Sequence, residues 1–473
     1  MTAAAAPGGL LATPRGPAWR EALRGRAVTV VGLARSGVAA CRLLATLGAR
    51  VSGTDARPAD ALGPEVRALA PAVRLHLGGH PPAAFADAEL VVLSPGVPAA
   101  HPAVAACRAG GVPVIGELEL AFRAMTAGFV AITGTNGKTT TTALTGALLA
   151  ESGRPVLVGG NIGRPLAGEA LGFPEEGWVV AEASSFQLET TDAFHPRVAA
   201  VLNVTPDHLD RHGSLAAYTD AKARIFARQT PADWAVLNAD DPGAAALAAR
   251  VRGRLLWFSR RGPVAAGAWV SAGWVTLRLD GADRPVCPVD EIFLRGAHNL
   301  ENVLAAAVCA GALGVAPERL RAAIRAFRGV RHRIEWVRER AGVAFYNDSK
   351  GTNVDATLKA LAAFPEPVVL IAGGRDKGQR FDALADAARG RVRAAVLIGE
   401  GRATLGPVLR AVTRVEEAGS MVEAVRRAAE LAVPGDVVLL SPACASFDMF
   451  RDYEHRGDVF VEAVRALPEV AGR

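Results

Sequence analysis

The chain has 473 residues, half of them hydrophobic, and a formal charge of +6 at neutral pH. That length exceeds one ordinary core and suggests about three domains. No uncharged apolar run reaches the roughly 18 residues a spanning helix needs, and the arginines form no basic block interleaved with aromatics. A helical membrane span is excluded, and a solvated basic surface suited to anionic small substrates replaces a nucleic-acid track. Cys41, Cys107, Cys287, Cys309 and Cys444 are scattered without CxxC spacing and read as small buried hydrophobes in a reducing, cytoplasmic setting.

In chain order, residues 1–20 lack the charged start and apolar centre of a signal peptide and read as a loosely ordered extension. Residues 21–116 form a first α/β domain. Strand Ala27–Val31 leads into the turn Gly32–Gly37 (GLARSG), a helix from Val38 to about Leu47, and strand Arg50–Thr54 ending at Asp55. That is the outline of a Rossmann half, but Ala34 replaces the second glycine of GxGxxG, so a plain βαβ turn stays open beside it. Strand Glu89–Leu93 runs into Ser94-Pro95-Gly96, at the strand end where parallel sheets bind ligands. Strand Val112–Ile115 closes the domain.

The central domain, 117–329, begins with strand Phe129–Thr133 and the loop Gly134-Thr135-Asn136-Gly137-Lys138-Thr139, a helix starting at the lysine. Backbone N–H groups and a helix N-terminus there suit phosphates, Lys138 the terminal phosphates and Thr139 a Mg²⁺ ion. Ile132 stands where the full motif has its outer glycine, so the loop is a shorter variant; the bland alternative is a glycine turn with an incidental lysine. Further strands are expected at Trp178–Glu182, Val198–Asn203 and Trp234–Asn238, then short antiparallel pieces, then helix from Ala297 to about Phe327. Glu182 is placed to hold Mg²⁺ or else is a solvated strand-end acid. His208, with Asp207 and Asp210, reads either as a ligand to metal or phosphate or as structural.

Arg328-Gly329-Val330 reads as a hinge to a third domain, 330–473. Its strands Val343–Asn347, Val368–Ala372, Ala394–Ile398 and Asp436–Leu440 alternate with helices. Three of them end in polar loops: Asn347–Asn353, Gly373–Gly378 and Ser441–Asp448. Such loops make an anionic-ligand cleft or are ordinary turns of a Rossmann-like unit.

Only five lysines accompany 48 arginines, and four of them, Lys138, Lys222, Lys350 and Lys377, fall within these segments. A lysine kept against that bias offers a compact charge or a modifiable amine that arginine lacks. Lys222 would be an odd cation beside a Mg²⁺ site, which hints at modification.

GTNGKT, GGNIG, SSFQLE, NVTPDHLDRH and the Lys222 segment resemble the Mur ligase family over nearly the whole chain after the extension. NDSKGTN and LSPACASFD resemble the branch that adds D-glutamate, and argue against a related amide ligase such as folylpolyglutamate synthase or another Mur ligase; a P-loop ATPase that drives nucleic-acid or partner movement stays open beside this reading. The resemblance implies an α/β fold of three domains: a Rossmann-like N-terminal domain, a central P-loop ATPase-type domain and a C-terminal Rossmann-like domain. It implies that ATP phosphorylates the terminal carboxylate of UDP-N-acetylmuramoyl-L-alanine. The amine of D-glutamate then attacks the acyl phosphate, and a tetrahedral intermediate collapses to amide.

By motif, the resemblance assigns ATP to Gly134, Thr135, Asn136, Gly137, Lys138, Thr139 and Thr140, with Asn302, Arg333 and Asp348. Two Mg²⁺ ions fall to Thr139, Glu182, His208 and a carbamylated Lys222. The UDP-sugar falls to Ala34, Arg35, Ser36, Asp55, Arg57, Ser94, Gly96, Asn161 and Ser184. The D-glutamate side falls to Lys350, Thr352, Lys377, Ser446 and Phe447, and the catalytic set is Lys138, His208, Lys222 and Lys350. A cytoplasmic monomer without nucleic-acid or membrane partner is implied.

Overall fold

The computed structural model describes residues 9–376 and 378–468. It divides into two compact units: one runs to Glu291 and takes in Glu301–Arg325, and the other comprises Ile292–Leu300 and the chain from Ala326 onward.

The first unit opens with β1 (Ala27–Val31), β2 (Arg50–Asp55), β3 (Val73–Leu77), β4 (Leu90–Leu93) and β5 (Val114–Gly116). All are parallel, in the order β3-β2-β1-β4-β5. A sheet covered on both faces wants unbroken apolar strands, and AVTVV and LVVL are buried throughout. The strand order reverses between β1 and β4, which opens a crevice at their carboxyl ends.

A helix, Glu117–Ala124, buried at every residue, leads to the second sheet. Glu119 accepts the N–H groups of Asp192, Ala193 and Phe194, and pairs with Arg123, which also reaches Asp192 at 2.7 Å. Charges this deep persist because each is paired and hydrogen-bonded.

The expectation of a loosely ordered extension through residue 20 fails from Gly9 on. Gly9–Ala12 and Pro17–Ala22 are helical, with Leu10 and Trp19 buried. Arg15 donates to Met125 O and Ala127 O from 4.2 Å above the Phe122 ring. One tryptophan, contributing about 2–3 kcal/mol on burial, and one arginine anchor a segment whose alanines and glycines carry no periodic signal.

The second sheet contains β6 (Gly128–Thr133), β7 (Val156–Gly160), β8 (Trp178–Glu182), β9 (Val198–Val201), β10 (Trp234–Asn238), β11 (Arg254–Ser259), β12 (Gly267–Ser271), β13 (Trp274–Arg278) and β14 (Arg284–Pro288). Their order is β14-β13-β12-β11-β10-β9-β6-β8-β7, antiparallel only at β12–β13 and β13–β14. β6 lies between β8 and β9, so the loop after it is flanked by Glu182 and by the turn beginning at Asn203. The single helical stretch expected from Ala297 is two helices, Ala297–Ala312 and Pro317–Ala326. Gly314, at φ 91°, stops the first, and Pro317 opens the second, where its missing N–H costs nothing.

The second unit holds β15 (Glu335–Arg340), β16 (Val343–Asn347), β17 (Val368–Gly373), β18 (Val392–Ile398), β19 (Arg414–Glu417) and β20 (Val437–Leu440). The order is β15-β16-β20-β17-β18-β19, with β15 alone antiparallel to its neighbour. The polar loops expected after β16, β17 and β20 therefore emerge from three adjacent parallel strands at one sheet end. No disulfide joins the five cysteines. No described helix is long and apolar enough to cross a membrane.

Candidate active site

At the crevice of the first sheet lies a cavity of about 470 Å³. It is lined by Ala34, Arg35, Ser36, Asp55, Arg57, Ser94 and Gly96 from the first sheet's loops and by Gly160, Asn161, Gly163 and Pro165 from the loop after β7. Eight residues assigned to the UDP-sugar thus line one cavity, joined by His80 and Gln187, which sequence reasoning missed. Ser184 instead caps the helix Ser185–Leu188, in a reciprocal box with Gln187.

Asp55 serves the turn itself. Oδ2 accepts Leu33 N–H at 2.7 Å, Oδ1 accepts Arg57 N–H at 2.9 Å, and the Arg57 guanidinium grips both oxygens at 2.9 Å. Burial opposes its charge, but the Arg57 side chain and these N–H groups outweigh it and hold the carboxyl down at about 2. The Ser94 hydroxyl donates to Gly32 O at 2.6 Å, locking the loop after β4 onto the glycine turn.

The phosphate loop follows β6, and the helix Lys138–Ala150 starts directly at the lysine. Gly137 has φ 83°, and a Cβ there would collide with Asn302 Oδ1, which accepts a hydrogen bond from Thr141. Asn203 clasps Asn136 on both sides, accepting its N–H and donating to its carbonyl. Lys138 Nζ donates to Gly134 O and Thr135 O, both at 2.8 Å. Lys222 Nζ, 1% exposed as a residue, donates to the same Gly134 O at 2.9 Å from 4.4 Å over the Tyr218 ring. Burial first, then the Lys138 charge, lowers its amine to about 7, with Asp207 opposing.

Glu182 ends β8, opposite Ile132 of β6. Its Oε1 accepts from Asn161 Nδ2 at 2.8 Å, whereas buried Oε2 has no hydrogen-bond partner among the described residues. A buried carboxylate oxygen left over beside a phosphate loop fits a divalent cation. No three His, Cys, Asp or Glu groups cluster among the described residues. Mg²⁺ does not require such a cage, since it commonly takes one or two protein oxygens with water and phosphate.

His208 is half-exposed at φ 52°, 3.6 Å from Asp207, with its ring 4.9 Å from that of Phe186. Its buried neighbour His212 was not singled out: the ring bridges Ser185 Oγ and Glu189 Oε1, both at 3.0 Å, and stacks on Phe186. Burial lowers its basicity, against the pull of Glu189. Arg211 lies 3.8 Å over Phe186 and donates to Pro95 O and Val97 O, tying this segment to the cavity wall. The side chain of Asp210 and the whole of Lys377 lie outside the described residues.

In the second unit, Asp348 is buried; Oδ2 accepts from Ser441 Oγ at 2.8 Å and Oδ1 accepts Ile334 N–H. Burial pushes it up to about 7 despite Ser441 and Arg333. Lys350 N–H donates to His332 O, and Thr352 N–H to Lys350 O, so the NDSKGTN loop is folded on itself. Ser446 is buried, its carbonyl accepting from Met449 and Phe450, while Phe447 is 65% exposed. Arg456, fully buried and lowered to about 10 by burial, stitches two of the loops: it donates to Ser349 Oγ, Ser349 O and Cys444 O. Among 48 arginines its sequence gave no signal.

Strand–loop–helix phosphate geometry, a Rossmann-like crevice and a C-terminal unit with three clustered loops define a class. Descriptions of the Mur ligase MurD-like N-terminal domain, the Mur ligase middle domain and the Mur ligase glutamate ligase domain match residues 26–116, 132–310 and 332–444. The chain belongs to the Mur ligase family. Among its relatives, the UDP-N-acetylmuramoylalanine--D-glutamate ligase of Pelotomaculum thermopropionicum is 48% identical over 443 residues, covering 93% of this chain and 97% of the relative. The enzyme of that name from Anaeromyxobacter dehalogenans is 51% identical over 451 residues, with 93% and 97% covered. The fold is also that of UDP-N-acetylmuramate-alanine ligase MurC from Thermotoga maritima (19% identity, 93% and 99% covered, TM-score 0.58). MurF ligase from the same organism, in complex with ADP, gives 18% identity, 96% and 97% covered, TM-score 0.54.

Proposed function

We propose that this chain joins D-glutamate to the terminal carboxylate of UDP-N-acetylmuramoyl-L-alanine with consumption of ATP, a cytoplasmic step of peptidoglycan synthesis. The observation that carries the reading is the meeting of Lys138, the buried amine of Lys222 and the unpartnered Glu182 oxygen around one phosphate loop, next to the cavity. The relatives' shared name supports the amino acid and the acceptor.

Gly134 to Thr140, with Asn302, hold ATP; the loop's N–H groups and Lys138 take the phosphates. Mg²⁺ supplies charge neutralisation when bound, with Thr139 and Glu182 as holders of one ion and His208 and a Lys222 carbamate as holders of a second. A lysine amine lowered to about 7 is substantially neutral at physiological pH. Its nitrogen adds to CO₂, forming an N–C bond and releasing a proton, and the cation becomes an anion. That removes the repulsion with Lys138. Ala34, Arg35, Ser36, Asp55, Arg57, Ser94, Gly96, Asn161 and Ser184 serve the UDP-sugar. Arg333 and Asp348 add to the ATP side, and Lys350, Thr352, Lys377, Ser446 and Phe447 bind D-glutamate. The work divides over residues 21–116, 117–329 and 330–473, and needs neither nucleic acid nor a second copy of the chain.

The carboxylate oxygen attacks the γ-phosphorus, ADP leaves, and the glutamate nitrogen then displaces phosphate from the acyl carbon. Substrate carrying ¹⁸O in its terminal carboxylate therefore delivers one ¹⁸O to the released phosphate. Phosphate free of label would sink the acyl-phosphate route.

A further inference from the structure

Glu117 opens the buried helix that follows β5 and is 1% exposed. Its Oε1 accepts the N–H of Ala167 at 2.7 Å, with the Leu166 N–H as a second donor, and Oε2 is buried without a partner among the described residues. Ala167 belongs to the short turn Leu166–Gly168, where the loop after β7 ends.

That loop has a second anchor. Asn161 N–H donates to Glu182 O at 2.9 Å, and its side chain to Glu182 Oε1. Between the two anchored residues, Asn161 and Ala167, lie Gly163 and Pro165, which with Gly160 and Asn161 form one wall of the cavity. The start of the helix is itself pinned, because Gly116 N–H donates to Thr190 O and a Cβ at Gly116 would collide with Thr190 Oγ1. Glu117 therefore reaches the loop from a fixed base.

We propose that Glu117 is a positioning residue for the UDP-sugar: it holds the N–H groups of Leu166 and Ala167 and so sets the height of the cavity wall at Asn161 and Pro165. The inference rests on the assignment of that cavity to the UDP-sugar. Ordering a wall raises affinity by removing the cost of arranging it at the moment of binding. What the turn requires is an acceptor oxygen at that point, and burial already pushes the carboxyl up to about 7, against the two N–H groups. An amide oxygen should serve.

The test is steady-state kinetics on the full-length chain, with each of the three substrates varied in turn, for Glu117→Ala and Glu117→Gln. Glu117→Ala is expected to raise KM for UDP-N-acetylmuramoyl-L-alanine about tenfold, with KM for ATP and D-glutamate moving less than about twofold, and Glu117→Gln to stay within about threefold of wild type. If Glu117→Ala is insoluble, Glu117→Asp, which withdraws the carboxylate by one methylene, is expected to raise the same KM. An unchanged KM in the folded variant, an equal rise for all three substrates, or a Gln variant as impaired as Ala would overturn the proposal. Calorimetric titration of wild type with UDP-N-acetylmuramoyl-L-alanine separates the two assignments. No binding there overturns the cavity reading; binding that Glu117→Ala leaves untouched overturns only the role of Glu117.

Discussion

Lys138 and Lys222 aim their amines at one oxygen: both Nζ atoms donate to Gly134 O, at 2.8 and 2.9 Å. Two cations at a single carbonyl repel each other, and this adds to burial in lowering the Lys222 amine to about 7. On the proposed reading, one lysine would take a phosphate and the other would add to CO₂.

Lys222→Ala is expected to reduce turnover on the order of 100- to 1000-fold, with partial rescue by a short carboxylic acid that fills the carbamate's place. Full activity in the variant would refute the carbamate. Stability carries a matching signature. In CO₂-free buffer, where Lys222 stays a free amine, the folded group titrates at about 7, below its ordinary 10.5, so the unfolded chain binds the extra proton between those values and stability from this group rises with pH across the window. Denaturation of Lys222→Met over that range should lose this slope.

Glu182→Gln keeps an oxygen for Asn161 but leaves the buried Oε2 position without charge. The Mg²⁺ concentration for half-maximal activity should rise roughly 10- to 100-fold, with the UDP-sugar KM nearly unchanged. A Mg²⁺ titration that does not move would remove Glu182 from the metal site.

Gly137→Ala forces a side chain into φ 83° and against Asn302. A loss of about 1–3 kcal/mol in chemical denaturation is expected, together with a raised KM for ATP. Wild-type values in both would show that the loop relaxes freely.

Asp348 is raised to about 7 by burial, so the folded chain retains a proton that the unfolded chain releases near 3.8. Stability from this group is present below that value and is lost as pH rises toward 7. Asp348→Asn should flatten the decline in denaturation midpoint between about pH 4 and 7; an unaltered profile would place the effect elsewhere.

Sequence legibility followed the apolar strands and the rare residues. AVTVV, LVVL and WVVAE read as strands because both their faces are buried, whereas the edge strands EWVRER and RVEE have no apolar run to read. Lysine scarcity pointed to Lys138 and Lys222, and arginine abundance hid Arg211 and Arg456. Both arginines act through backbone carbonyls brought close only by the fold. Glu117 and His212 escaped for the same reason: their partners, Ala167 N–H and the pair Ser185 and Glu189, depend on tertiary packing. Trp19 shows the reverse case, where a single large side chain orders a segment whose composition reads as loose.

The most direct test is phosphate release by the purified chain with ATP, Mg²⁺ and UDP-N-acetylmuramoyl-L-alanine, against a panel of D- and L-amino acids. The proposed activity requires turnover that depends on D-glutamate and is negligible with L-glutamate, L-alanine or L-lysine. Turnover that depends on another amino acid, or that proceeds equally without any, would contradict it.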